Sequence, residues 1–131
     1  AHYYNALARL RRARNDEARA SMVQAIALEP GLRERLRYGA WLLATAPGPS
    51  APGDAVRALH LAQWAVRIGG VDDAESLSTL SAAFARNGRF DPAVSAAKRA
   101  LALARAGVQP IEVAVMQNRL RILEAGQRLE R

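Results

Sequence analysis

Residues 77–103, LSTLSAAFARNGRFDPAVSAAKRALAL, hold two helical patterns back to back. Leu77, Leu80, Ser81 and Phe84 recur at spacings of three and four, which puts them on one face of an α-helix. Asn87-Gly88-Arg89-Phe90 then supplies a turn, with Gly88 suited to the left-handed conformation that commonly ends a helix. Asp91-Pro92 opens the second helix, aspartate reading as its N-cap and proline as its first helical residue. The stretch is therefore an antiparallel helix pair, and small residues such as Ser81, Ala93 and Ala100 allow the two axes to approach closely.

Working outward, part of this pattern recurs. A pair of alanines seven residues apart, with an aliphatic residue three further on, occurs as Ala18, Ala25, Leu28, again as Ala58, Ala65, Ile68, and again as Ala93, Ala100, Leu103. The shifts between sets, 18 to 58 and 58 to 93, are 40 and 35 residues. Upstream of each set a helical stretch carries a small residue at its middle, Ala8, Ala40 and Ser81. Self-similarity at such a period marks a stack of helix–turn–helix units. The first unit ends on the helix stop Leu28-Glu29-Pro30-Gly31, and Asn15-Asp16-Glu17-Ala18 starts its second helix.

Capping and periodicity predict helices over 2–13, 16–28, 32–45, 54–68, 73–86, 91–105 and 110–125. These form three pairs and a final helix, with units about 1–31, 32–70 and 73–106 and a capping helix 109–126. The final helix, with Ile111, Val115, Leu120, Ile122 and Leu123, is expected to cover the apolar face of the preceding pair, with Gln117, Asn118, Arg119, Arg121 and Glu124 toward water. The stretch Ala46 to Asp54, APGPSAPGD, with its three prolines, reads as a stiff exposed excursion between helices. On that reading, shortening it changes stability by no more than about 1 kcal/mol, because loop length enters only logarithmically.

The large, small, aromatic and alanine positions of these units resemble the tetratricopeptide-repeat family. The resemblance implies an all-α, right-handed superhelical stack of antiparallel helix pairs, about three units plus the C-terminal capping helix. From Ala40 onward, AWLLATAP, ALHLAQWAV, the stretch from Glu75 to Ala104 and RLRILEAGQ are similar to the terminal repeats of bacterial tetratricopeptide proteins. Such arrays often follow a membrane-embedded glycosyltransferase or another enzyme. The chain begins at Ala1 with a helical pattern already running by Tyr3, so it reads as a segment of a longer or processed protein.

Composition narrows the function classes. At 131 residues the chain has room for one helical domain but not for a catalytic domain beside it. The sequence has no cysteine, which excludes disulfides, thiolate zinc sites and cysteine nucleophiles and leaves cytoplasm and periplasm both open. No apolar run approaches the ~20 residues of a membrane helix, so this segment is not expected to insert in a membrane, although its parent or assembly could be membrane-embedded. The net charge of +7 comes almost wholly from arginine, Lys98 being the one lysine. Those arginines are spread along the chain between acids rather than gathered on one face with stacking aromatics, so no nucleic-acid partner is expected.

No catalytic constellation is present. The two histidines, His2 and His60, fall in neither triad nor zinc spacing, and His60 between Leu59 and Leu61 reads as a polar position on a packed helix. Asp72, Asp73 and Glu75 lack the spacing and glycine of a calcium loop and read as helix-capping and dipole residues. Gly69-Gly70, with no strand before it, ends a helix rather than cradling a phosphate. No enzyme activity, cofactor or metal is expected.

Two functions remain. One is an interaction module that holds a protein or peptide, acidic character being complementary, on a concave face; the other is a structural or assembly domain packed against a larger enzyme or membrane complex. If the first helix of each unit lines the concave face as the resemblance implies, the contact residues are His2, Asn5, Arg9, Arg12, Arg37, Trp41, Glu75, Ser78 and Arg86. Within the family, chaperone-tail receptors grip a terminal carboxylate with lysines and asparagines; here Asn5 is compatible, but Arg9, Tyr38, Glu75 and Thr79 stand in the other places, so chaperone C-terminal tails are not expected to bind. Trp64 reads as packing. Trp41 reads equally as a ligand platform or as a ring tucked against the following helix.

Overall fold

A computed structural model describes residues 31–69, 73–107 and 110–131, together with Gln24. Among them are five α-helices and no strands: α1 (Leu32–Thr45), α2 (Asp54–Gly69), α3 (Ala74–Arg86), α4 (Phe90–Ala106) and α5 (Pro110–Glu124). The expected all-α class is therefore found, with each of these helices within a residue or so of its predicted span. The helices expected over 2–13 and 16–28 lie outside the described residues. The chain divides into two compact units, Ala1–Arg35 and Leu36–Arg131, and the division falls inside α1 rather than between repeats. Of the first unit the described part is Gln24 and the opening turn of α1, where Arg35 N–H donates to the Gly31 carbonyl at 3.1 Å.

In the second unit α3 packs against both α2 and α4, and α4 packs against α5. The contacts are made by small residues. Ala58, Ala65, Ala93 and Ala100, the alanines of the second and third repeat sets, are fully buried, as are Ala40 and Ser81. Larger side chains fill what the alanines leave. Leu77, Leu101 and Met116 form a core with Ala100 and Ala104, against which Val66, Leu103, Val113 and Leu120 pack. The final helix does cover its neighbour, but it uses Met116, Leu120 and Leu123, while Val115 is 40% exposed. The 3.6-residue period explains the difference: 116, 120 and 123 form one stripe and 115 falls at its margin.

Glycines end two helices by the same device. Gly88 (φ +73°) donates to the Ala85 carbonyl and Arg89 N–H to that of Phe84, both at 2.9 Å. Gly126 (φ +74°) donates to Leu123 at 2.9 Å and Gln127 N–H to Ile122 at 3.2 Å. A residue without Cβ is needed at each because the chain must turn left-handed to satisfy the last carbonyls. At the start of α3, Asp73 is the N-cap, its Oδ1 accepting from Glu75 N–H at 3.1 Å and its Oδ2 from Ser76 Oγ at 2.6 Å. Asp91 is not the cap expected of it. Helix α4 begins one residue earlier, at Phe90, after Arg89, which places Asp91 and Pro92 inside the first turn, where a proline removes no intrahelical bond.

The proline-rich loop between α1 and α2 corrects a second expectation. Pro47, Gly48, Pro49, Ala51, Pro52 and Gly53 are exposed, but the loop's carbonyls are engaged by residues far along the chain. Arg86 donates Nη1 to the Ala46 carbonyl at 2.5 Å, Nη2 to that of Gly48 at 2.9 Å and Nε to Ser50 Oγ. Arg128 donates Nη2 to the Gly48 carbonyl at 2.6 Å. Prolines have no N–H to pair with these carbonyls locally, so the acceptors stay available to distant arginines.

Beyond α5 the chain folds back to the end of α1. Arg131 donates its backbone N–H to the Thr45 carbonyl at 2.8 Å and Nη2 to that of Leu42 at 2.9 Å, and Leu129 is buried. The last four carbonyls of a helix have no intrahelical partner. Here residues 127–131 supply partners to two of those in α1.

Candidate interaction face

Alternate helices of the second unit converge at one place. Trp41 on α1, Ser78 on α3 and Arg119 on α5 meet there. The Arg119 guanidinium carbon lies 4.4 Å from the centroid of the Trp41 ring, and Nη1 donates to Ser78 Oγ at 2.7 Å. The same nitrogen lies 4.0 Å from Met116 Sδ. Burial pulls the Arg119 guanidinium below the usual arginine range, and the negative charge of Glu75 opposes that shift. Arginine remains charged throughout the accessible pH range, so the effect reports a partly desolvated cation rather than a titrating group.

Beside this stack Arg37 on α1 faces Asp73 at 3.8 Å, both side chains about one-third exposed. The pair is half-screened and Asp73 is already engaged as a helix cap, so its contribution is of the order of a surface ion pair, ~0–1 kcal/mol. Two cations, Arg37 and Arg119, thus stand near two anions, Asp73 and Glu75. Among the described residues the face around Trp41 thus carries charges of both signs.

Of the contact residues expected from sequence, Arg37, Trp41, Glu75 and Ser78 come to this region. Ser78 is 2% exposed, its hydroxyl held by Arg119 and its carbonyl accepting from Ser81 Oγ, so it presents almost no surface. Arg86, eight residues further along α3, is 8% exposed and directed into the α1–α2 loop. Burial, and then the neighbouring charge of Arg128, lower its pKa, with Glu130 and Asp54 acting the other way. His2, Asn5, Arg9 and Arg12 lie outside the described residues. Trp64 is fully buried and packs, with the Arg67 guanidinium 5.7 Å from its ring centroid.

Arg119 is the residue that sequence reasoning missed, having been assigned to solvent. The signal was available: position 119 lies one turn from Met116 and beside Leu120 and Leu123, at the edge of the buried stripe of α5. A long amphipathic side chain at such an edge lays its stem on the apolar surface and carries its head to the rim.

Among the described residues no three His, Asp or Glu side chains gather as a metal site, and no helix is long and apolar enough to cross a membrane. Comparison of the chain with models of known families, with curated proteins and with solved structures finds no match.

Proposed function

We propose that this chain is a non-catalytic interaction module, a right-handed superhelical stack of tetratricopeptide-type helix pairs that holds a protein partner on the face shared by α1, α3 and α5. The observation that supports this reading is the meeting of Trp41, Ser78 and Arg119 across alternate helices, since in a stack of helix pairs the first helix of each pair lines a common face. Arg37, Trp41, Glu75 and Arg119 are the contact residues of that face. The partner supplies an extended or helical segment with carboxylate and apolar side chains, Trp41 giving it buried area and the arginines giving it direction.

The test is a pull-down from the source organism's lysate with the wild type, a charge reversal at Arg9, Arg12 and Arg37, and Trp41→Ala. Partners bound through this face are lost from Trp41→Ala and reduced by the reversal. Contacts carried by exposed charge weaken steeply with salt, since screening acts beyond ~8–10 Å at physiological ionic strength, whereas those carried by Trp41 persist. Retention of every partner by both variants moves the site to another surface and rejects the proposal.

A further inference from the structure

Arg119 is held by its neighbours yet, among the described residues, has donors to spare. Its ring contact with Trp41 and the Nη1 bond to Ser78 Oγ fix both the plane and the rotation of the guanidinium. Nε and Nη2 donate to no acceptor among the described residues, and no carboxylate there forms an ion pair with Arg119. Trp64 Nε1 is the one fully buried and unpaired side-chain nitrogen among the described residues, so the Nε–Nη2 edge of Arg119 is not sealed in the interior without a partner. A half-desolvated cation with a free, preoriented fork gains more from an arriving carboxylate than a fully hydrated one, because it has less water to lose and less rotamer freedom to give up.

Two further features define what can arrive. Glu75 acts electrostatically on Arg119, and Asp73 stands beside Arg37, so a run of acids would be repelled where one acid is accepted. Exposed apolar groups lie one turn from the pair on each helix: Tyr38, three residues before Trp41 on α1 and 63% exposed, and Val115, four residues before Arg119 on α5.

We propose that the Nε–Nη2 edge of Arg119, seated on Trp41, receives a single aspartate or glutamate side chain of a partner protein, carried between apolar residues. This rests on the interaction-face reading above and assigns its specificity to Arg119. Two parallel N–H···O bonds match the two carboxylate oxygens, and the flanking apolar residues of the partner cover Tyr38 and Val115.

The test uses the full chain and three peptides of one length: Ala-Leu-Glu-Leu-Ala blocked at both ends, its Gln counterpart blocked at both ends, and that Gln peptide with a free C-terminal carboxylate. The readouts are the ¹⁵N–¹H signal of Arg119 Nε and the fluorescence of the tryptophans. The blocked Glu peptide is expected to shift the Arg119 signal saturably, the blocked Gln peptide to bind about tenfold or more weakly, and Arg119→Lys, which keeps the charge but not the fork, to lose about as much. Arg99→Gln, an exposed arginine of α4 outside this face, is expected to bind the Glu peptide as the wild type does, and the melting temperature of Arg119→Lys reports whether the fold persists. Equal response to Glu and Gln, response confined to the free C-terminal carboxylate, or wild-type binding by a folded Arg119→Lys overturns the assignment. Loss of partners from Trp41→Ala without any carboxylate-selective shift leaves the interaction face standing and overturns this inference alone.

Discussion

Arg86 Nη2 lies 2.9 Å from the carbonyl oxygen of Gly48, a bond that joins the end of α3 to the loop after α1 across 38 residues of chain. Its other nitrogens reach Ala46 and Ser50 of the same loop, so one short segment satisfies an almost fully buried cation. Backbone carbonyls stand where a carboxylate would otherwise be required. This makes the loop structural despite its exposed side chains.

Shortening Ala46–Asp54 to a four-residue turn therefore removes the acceptors that Arg86 uses. Hydrogen bonds to charged groups contribute roughly 1.5–3 kcal/mol each, and water replaces part of what the loop supplied, so a loss of about 2–3 kcal/mol is expected in urea unfolding. A shortened chain within about 1 kcal/mol of the wild type would show that Arg86 finds other acceptors and that the logarithmic loop argument governs.

Substitution of Ala93 or Ala100 by leucine tests the close helix contacts. Both alanines are fully buried, Ala100 inside the core with Leu77 and Met116. Extra methylenes there force neighbouring side chains off their rotamers or the helices apart, at a cost of roughly 1–3 kcal/mol. An unchanged melting curve for both variants contradicts the packing described.

The tail residues 127–131 hold the end of α1 from outside the helix. Leu129 is 4% exposed, and its truncation to alanine is expected to cost about 2–3 kcal/mol. Removal of residues 127–131 also leaves the Leu42 and Thr45 carbonyls without the Arg131 donors. Hydrogen exchange in the last turn of α1 should then quicken relative to α4, which makes no contact of this kind. Equal exchange in both helices after truncation would show that α1 keeps its C-terminus without the tail.

Local rules were enough for the helices and for the small residues between them. Periodicity, Gly88, the acid before α3 and the buried alanines at 58, 65, 93 and 100 all act within one or two turns, and the structure has them where those rules put them. What stayed hidden depends on distant pairs. Nothing near Arg86 in sequence signals the carbonyls of Ala46 and Gly48, and an arginine on an interhelical face looks the same whether it meets a ligand or a loop. The folding back of residues 127–131 is of the same kind, since an extended tail has no period to read. Arg119 falls between the two cases: its stem belongs to a legible stripe, but the ring it caps comes from a helix 78 positions earlier, from 41 to 119.

The contact between Trp41 and Arg119 can be measured without knowing any partner. A guanidinium over an indole face, partly desolvated, contributes about 0.5–2 kcal/mol. A double-mutant cycle of Trp41→Leu and Arg119→Met keeps apolar volume at each site while removing the ring and the charge in turn. The single variants are expected to lose stability, and the double variant to lose less than their sum, the difference being a coupling of about 0.5–2 kcal/mol. Because Nη1 of Arg119 also bonds Ser78 Oγ, a second cycle pairing Arg119→Met with Ser78→Ala separates the ring contact from the hydrogen bond. Adding 1 M salt is expected to leave the Trp41 coupling largely intact, since the contact is partly buried and such contacts are screened much less, while the more exposed Arg37–Asp73 pair loses its contribution. Additive effects of Trp41→Leu and Arg119→Met, with no coupling, would show that the two side chains merely lie near each other and would leave the guanidinium without the platform that orients its free edge.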